Sequence, residues 1–389
     1  MLLFRGALRE CRARSGRRPV SHRRNAESQE SPLRRLVREA SAFGETGARD
    51  GELSWITQPY AASDPLRPPA REPADPRDST VLLFPGQGSQ YVGMGKNLDA
   101  IPTAMELYEL ASSVVGWDVA QLCRTGPAEE LARRCQTAVM VTSLAAVELA
   151  RETRRGAIER VCAVAGFSLG EITAFVYAGA LTLERALRLT ELRAEAMAAA
   201  ARERAGGMLT VWLAPDAKLP ALLRSARDQA VSPSLPNPVC QIANYLYPGC
   251  KVLAGDEQTL QWVEREGRAW GIRRSARVAV SGAFHTQLMA NAEHVVRQAL
   301  HHCDLSAPRV PVVSCVDART VSNAAAAHRR LQRLTAAPVR WEQALHALYS
   351  RPPETPQPLT LTLGPGRALR ATLKQVNARA WDSSVHIDV

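Results

Sequence analysis

The sequence predicts an α/β fold with a mostly parallel sheet, and three observations carry that prediction. Short apolar strand candidates at 80–84, 161–167, 277–281, 309–315 and 358–363 alternate with helical stretches at 103–115, 138–152, 170–200 and 286–302. Alternation of this kind builds a sheet covered by helices on both faces. The strand at 161–167 breaks at Gly166, and a helix starts just past Ser168. A Gly-x-Ser-x-Gly between strand and helix is a nucleophile elbow. Between residues 206 and 276 the rhythm changes to short strands (208–212, 239–244, 251–254) around two helices. That is the pattern of a small ferredoxin-like insert.

From the N-terminus, residues 1–40 hold eleven Arg, no Lys and four Glu, so +7 of the chain's net +11 lies there. Phe4, Leu8 and Cys11 fall on one helical stripe, with Arg5, Arg9 and Arg12 on the adjacent one. An Arg-rich, amphipathic start of this kind resembles a mitochondrial transit peptide. It lacks the long apolar core and A-x-A site of a secretory signal; a basic nucleic-acid arm or plain disorder are the alternatives. Residues 41–78, rich in Ala, Pro, Asp and Arg without periodicity, read as a linker. The remainder divides into a large subdomain, 79–205 and 277–389, and a small one, 206–276.

The strand at 80–84 runs straight into Pro85-Gly86-Gln87-Gly88-Ser89-Gln90. This loop lacks the Lys-Ser/Thr of a P-loop and the spacing of GxGxxG. It suits the close approach of a backbone N–H to another strand's end, which acyl transfer needs for half of an oxyanion hole. At the elbow, the glycines permit a tight turn and the next amide sits at a helix N-terminus, where unpaired N–H groups favour negative charge. A lone GxSxG also arises by chance as a mere strand–helix turn. Ser168 is the candidate nucleophile, and a serine hydroxyl needs a base. Of eight histidines, His285 is the candidate, because it follows the strand at 277–281 and a turn at Gly282. Arg193 lies in a long Ala/Leu/Arg-rich helical segment, where most arginines face water.

The chain is 46% hydrophobic with no uninterrupted apolar run of membrane-spanning length. Its eight cysteines are scattered, with no CxxC and no metal-type pairing with histidine. A disulfide framework is not expected, and a reducing compartment fits.

The motifs FPGQGSQ (84–90), GFSLGE (166–171), ELRAEAM (191–197), SGAFHTQLM (281–289) and LGPG (363–366) occur in the order in which they recur in the malonyl-CoA:acyl carrier protein transacylases. The chain resembles that family over roughly residues 79–380. Phe167 and the segment 242–248 resemble its mitochondrial branch most. The resemblance implies a hydrolase-like large subdomain, a small subdomain inserted before the histidine, and an active site in the cleft between them. It also implies Ser168 as nucleophile and His285 as base, the latter oriented by a main-chain carbonyl from the loop at 337–341. Arg193, 25 residues after Ser168, takes the position that binds the free malonyl carboxylate. A guanidinium fork meets a carboxylate with two charge-assisted bonds, whereas an acetyl group leaves it unpaired. By the same resemblance, Gln87 and Leu169 supply oxyanion amides, Gln136 is a glutamine near the nucleophile, and Phe284 crowds branched acyl groups. Departures from the family pattern are Phe167 in place of His, Thr137 in place of Pro, Arg340 in place of Gln, and, in the loop 244–250, Leu246 and Tyr247 in place of Asn and Ser and Cys250 in place of Gln.

The resulting expectation is ping-pong transfer of malonyl from malonyl-CoA, through a malonyl-Ser168 ester, to the phosphopantetheine thiol of acyl carrier protein. It calls for no metal or redox cofactor, no membrane insertion and no nucleic acid, in a monomeric enzyme of the mitochondrial matrix. An acidic carrier protein would meet Arg268, Arg273, Arg274 and Arg277. Two rival readings are a serine thioesterase, with Asp228 or Asp256 as the acid, and a catalytically silent scaffold or RNA-associated protein.

Overall fold

The computed structural model describes residues 31–41, 79–352 and 354–389. Along the chain, α1 (Pro32–Ser41) and β1 (Thr80–Phe84) lead to α2 (Pro102–Val115), α3 (Val119–Thr125), α4 (Ala128–Arg133) and α5 (Cys135–Thr153). The short α6 (Arg155–Glu159) precedes β2 (Val161–Gly166), and α7 (Leu169–Tyr177) and α8 (Leu183–Glu203) follow. An inserted unit then runs β3 (Gly206–Leu213), α9 (Leu219–Ala230), β4 (Cys240–Tyr247), β5 (Cys250–Asp256), α10 (Glu257–Glu266) and β6 (Ile272–Arg277). The remaining elements are α11 (Ala290–His301), β7 (Val312–Val313), β8 (Thr320–Val321), α12 (Ala324–Arg333), α13 (Trp341–Tyr349), β9 (Leu359–Leu363), α14 (Ala368–Val376), α15 (Ala378–Asp382) and β10 (Ser384–Ile387).

The large sheet has the order β10-β9-β1-β2-β7-β8 and is parallel except for its β7–β8 edge. Its central strand β1, Thr-Val-Leu-Leu-Phe, is buried at every position, as expected for a strand covered on both faces. The last pair in the β1–β2 ladder is Phe84 with Gly166. The carboxyl ends of the two strands are therefore level, and the 85–90 loop lies beside the elbow. In open α/β sheets this is the edge where ligands bind. Helix α5 is buried over most of its surface, which matches its run of Ala, Val, Met and Leu.

The inserted unit forms a separate antiparallel sheet of order β4-β5-β3-β6 with α9 and α10. This is the split β-α-β topology of a ferredoxin-like unit. It has its own core of Leu209, Val211, Leu222, Leu253, Leu260 and Val263.

Three sequence expectations shift. The helix at 170–200 is two helices, because the chain turns at Gly179 with φ of 71° and restarts where Thr182 caps α8. The strand at 277–281 ends at Arg277 and belongs to the small sheet, paired with β3. At 309–315 only Val312 and Val313 are paired as a strand. Residues 1–30 of the transit-like segment and 42–78 of the linker lie outside the described residues. The stretch just after the former is α1, whose Leu33, Leu36 and Ala40 are buried against α8 and α11.

Candidate active site

The elbow puts Ser168 at the N-terminal end of α7 with φ 51° and ψ −108°, a conformation that costs on the order of 1–3 kcal/mol outside glycine. Its neighbours explain how this is held. A Cβ on Gly166 would lie 1.8 Å from the Gly170 carbonyl carbon, and one on Gly170 would lie 2.2 Å from the Phe84 carbonyl oxygen. Only glycine at both positions lets the turn close against β1. Leu169 opens α7, where first-turn amides have no partner inside the helix. Gln87 lies in the adjoining turn, which Ser89 ties to the Gly86 carbonyl at 2.8 Å.

His285 is also held with positive φ, 60°, and is buried. Its Nε2 lies 2.8 Å from Ser168 Oγ and its Nδ1 lies 3.0 Å from the Ala337 carbonyl oxygen. A carbonyl only accepts, so Nδ1 carries the proton and the Nε2 lone pair receives the serine hydroxyl. Burial, followed by the nearby Arg193 charge, pushes the imidazole pKa down to about 3. His285 is therefore neutral at physiological pH and able to accept a proton. The acid that a hydrolase triad would place here is a main-chain carbonyl instead. Asp256 is occupied elsewhere, bound by Arg204 and the Val239 amide in the small sheet.

The loop that supplies this carbonyl is fastened on two sides. The Arg340 amide donates to the Cys315 carbonyl at 2.6 Å. Val339 exchanges backbone bonds with Ala243 and Tyr245 of β4, each at 2.8 Å. On the elbow side, buried Glu171 of α7 accepts from Ser314 Oγ at 2.7 Å and from the Cys315 amide at 2.6 Å. Burial raises the Glu171 pKa, and these bonds oppose the rise. Phe167 meets buried Trp341 edge-on, with ring centroids 5.6 Å apart. The sequence offered no period or spacing that marks Ser314 or Cys315 as parts of the site, and it gave Glu171 and Trp341 no role within the motif and loop that contain them.

Arg193 is the third group at Ser168. Its guanidinium is buried, with Nη2 3.1 Å from Ser168 Oγ and Nη1 2.6 Å from Gln136 Oε1. Its Nε has no hydrogen-bond partner among the described residues. Burial lowers its pKa to about 10, which still leaves it charged at neutral pH. A buried cation with only neutral partners is a site prepared for an anion. Gln136 passes its amide on to Gln87 Oε1 at 3.3 Å. The structure thus brings Ser168, His285, Arg193, Gln136 and Gln87 together, with Leu169 directly after the serine. Phe284, next to His285 in the chain, is buried in the hydrophobic core.

Among the described residues no cluster of His, Cys, Asp and Glu could hold a metal ion, and no helix is long and apolar enough to cross a membrane.

The profile of the acyl transferase domain family matches residues 81–356. A protein of Drosophila melanogaster named probable malonyl-CoA-acyl carrier protein transacylase, mitochondrial, is 44% identical over 327 residues, covering 84% of this chain and 86% of its own. The Homo sapiens malonyl-CoA-acyl carrier protein transacylase, mitochondrial, is 41% identical over 322 residues, covering 82% and 83%. Among solved structures, the acyl-carrier-protein S-malonyltransferase of Burkholderia pseudomallei superposes with a TM-score of 0.71 at 28% identity, over 80% of this chain and 96% of that one. With a Ser–His pair at the elbow and an arginine waiting for an anion, the chain belongs to the malonyl-CoA:acyl carrier protein transacylase family of acyltransferases.

Proposed function

We propose that the protein carries malonyl groups from malonyl-CoA to the phosphopantetheine thiol of acyl carrier protein, supplying fatty acid synthesis in the mitochondrial matrix. The observation that supports this reading best is Arg193: a buried guanidinium 3.1 Å from the serine oxygen, with no carboxylate among the described residues bound to it. An acyl group ending in a carboxylate completes that charge, and a plain acyl group does not.

In the acylation step, Ser168 Oγ attacks the thioester carbonyl while its proton moves to His285 Nε2. The tetrahedral oxyanion rests on the amides of Leu169 and Gln87. The C–S bond then breaks, the proton leaves with CoA thiol, and malonyl remains as an ester on Ser168 with its carboxylate on Arg193. In the second half, His285 takes the proton of the carrier thiol, the thiolate attacks the ester, and Ser168 regains its proton. No step calls on a metal or redox cofactor. Losing one oxyanion donor costs about 3 kcal/mol in comparable sites.

The carrier is acidic, and the edge strand β6 offers exposed Arg273 and Arg274, the latter stacked 4.6 Å over Trp212. Arg277 leaves the set proposed from sequence, because Glu257 and Glu264 hold its guanidinium at 2.6–3.0 Å. Import is assigned to the Arg-rich stretch ahead of Pro32, since α1 packs into the core.

Intact-mass measurement after mixing with malonyl-CoA or acetyl-CoA tests the reading. A malonyl adduct on Ser168, formed preferentially from malonyl-CoA and cleared by carrier protein, is expected. No adduct on folded protein, or free malonate without an acceptor, overturns it.

A further inference from the structure

Gln136 lies in the first turn of α5 and is almost fully buried, and its hydrogen bonds go to Arg193, Gln87 and Met197 rather than to Ser168 or His285. Its oxygen accepts from Arg193 Nη1, and its amide nitrogen faces Gln87 Oε1 at 3.3 Å and Met197 Sδ at 3.5 Å. The direction of this chain is fixed, since arginine has only donors and must meet the oxygen. One side chain therefore spans α5, the helix carrying Arg193, and the loop carrying Gln87.

The neighbouring carboxylates are engaged elsewhere. Glu171 is bound by Ser314 and Cys315. Glu191, on the same helix as Arg193, accepts from Thr137 and faces Arg134. Among the described residues no Asp or Glu pairs with Arg193. The nearest strong acceptor is thus an uncharged amide oxygen, in a place where a glutamate of the same length would fit.

We propose that Gln136 is a positioning residue that sets acyl selectivity by being neutral. It aims the guanidinium at the acyl pocket without cancelling its charge, so the anionic end of the acyl group completes the ion pair. This rests on the transacylase reading of the site. A carboxylate at position 136 would occupy Arg193 permanently and ionise readily beside a cation. The discrimination between malonyl and acetyl would then disappear while the arginine stayed in place.

The test uses the full chain as wild type, Gln136→Glu and Gln136→Met. Ester formation on Ser168 is followed by quenched-flow mass spectrometry at varied malonyl-CoA and acetyl-CoA. Gln136→Glu is expected to lower the malonyl-to-acetyl ratio of kcat/KM by about 100-fold, chiefly through a higher malonyl KM, while acetyl loading is maintained or rises. Gln136→Met, close in size but without the hydrogen bond or the charge, is expected to slow both substrates and keep the ratio within about fivefold. A ratio unchanged within threefold in Gln136→Glu overturns the proposal. A collapse as large in Gln136→Met also overturns it, since orientation and not neutrality would then be what matters. If Gln136→Glu fails to fold, Gln136→Asp, which brings the same charge on a smaller side chain, is read against the same expected and overturning ratios. A wild type that forms no malonyl ester sinks the transacylase reading, an outcome distinct from either.

Discussion

His285 donates its Nδ1 proton to the main-chain carbonyl of Ala337, 3.0 Å away, and so presents the Nε2 lone pair to Ser168. A carbonyl fixes the tautomer and ring orientation as an aspartate would, without placing a full negative charge beside the imidazolium that forms during reaction. The base is thus oriented by the backbone of a loop, and that loop is tied to the elbow through Cys315 and to the small sheet through Val339.

Because the orienting group is backbone, side-chain substitution there should be mild. Ala337→Ser is expected to leave the acylation rate within about threefold of wild type. His285→Gln should lower it by about 10²–10⁴, the usual worth of a positioned base. Single-turnover loading of malonyl-CoA measures both.

The depressed pKa of His285 sets the pH behaviour. Its acid limb in kcat/KM should lie well below the ordinary imidazole value of 6.5, since the free enzyme's base resists protonation until about pH 3. Burial is the larger cause and the Arg193 charge the second, so Arg193→Met should move the limb upward in any residual acyl loading. The same shift bears on stability. Between about pH 6.5 and 3 the unfolded chain takes up a proton on this histidine that the folded chain does not, so its contribution is lost as pH falls through that window. Urea titrations across pH, with His285→Gln as control, read the difference.

Glu171 joins the nucleophile helix to the 314–315 segment, so its loss should damage both stability and catalysis. Glu171→Leu strands the Ser314 hydroxyl and the Cys315 amide, at about 1–3 kcal/mol for each buried group left unpaired. A fall in Tm of several degrees, together with slower Ser168 acylation, is the expected result in thermal melts and loading assays. Glu171→Gln, which keeps one acceptor oxygen, should lie between.

Helix α1 is part of the folded core. Leu36→Ala is expected to cost about 2–5 kcal/mol, the range for truncating a buried leucine, and to lower Tm accordingly. An unchanged melt would mean that α1 does not dock against α8 and α11.

Much of the site was legible because local sequence dictates it. The glycines around Ser168 are required by approaches of 1.8 and 2.2 Å that exclude any Cβ, so the elbow announces itself in the residue string. The strand at 80–84 and its Gly/Gln loop are equally local. The strand expected at 277–281 was misplaced for the opposite reason. Arg277 pairs with Leu209, some 70 residues earlier, and only that long-range ladder shows which sheet owns the segment. The ion pairs that bind the Arg277 guanidinium to two glutamates on α10 were equally illegible, because they too form only on folding.

By itself the sequence determined the alternation of strands and helices, the elbow, the motif residues Ser168, Arg193 and His285, and the family they belong to. These depend on residue type and short spacing, where the backbone's steric limits act directly. Tertiary structure alone decided which carbonyl of the 337–341 loop, that of Ala337, orients the histidine, that Glu171 locks the elbow to the 314–315 segment, that Gln136 holds Arg193, and that no carboxylate among the described residues pairs with Arg193. Such pairings join residues 50 to 145 positions apart. Their energies arise only once folding removes water and sets one buried group against another, so no local pattern in the chain records them.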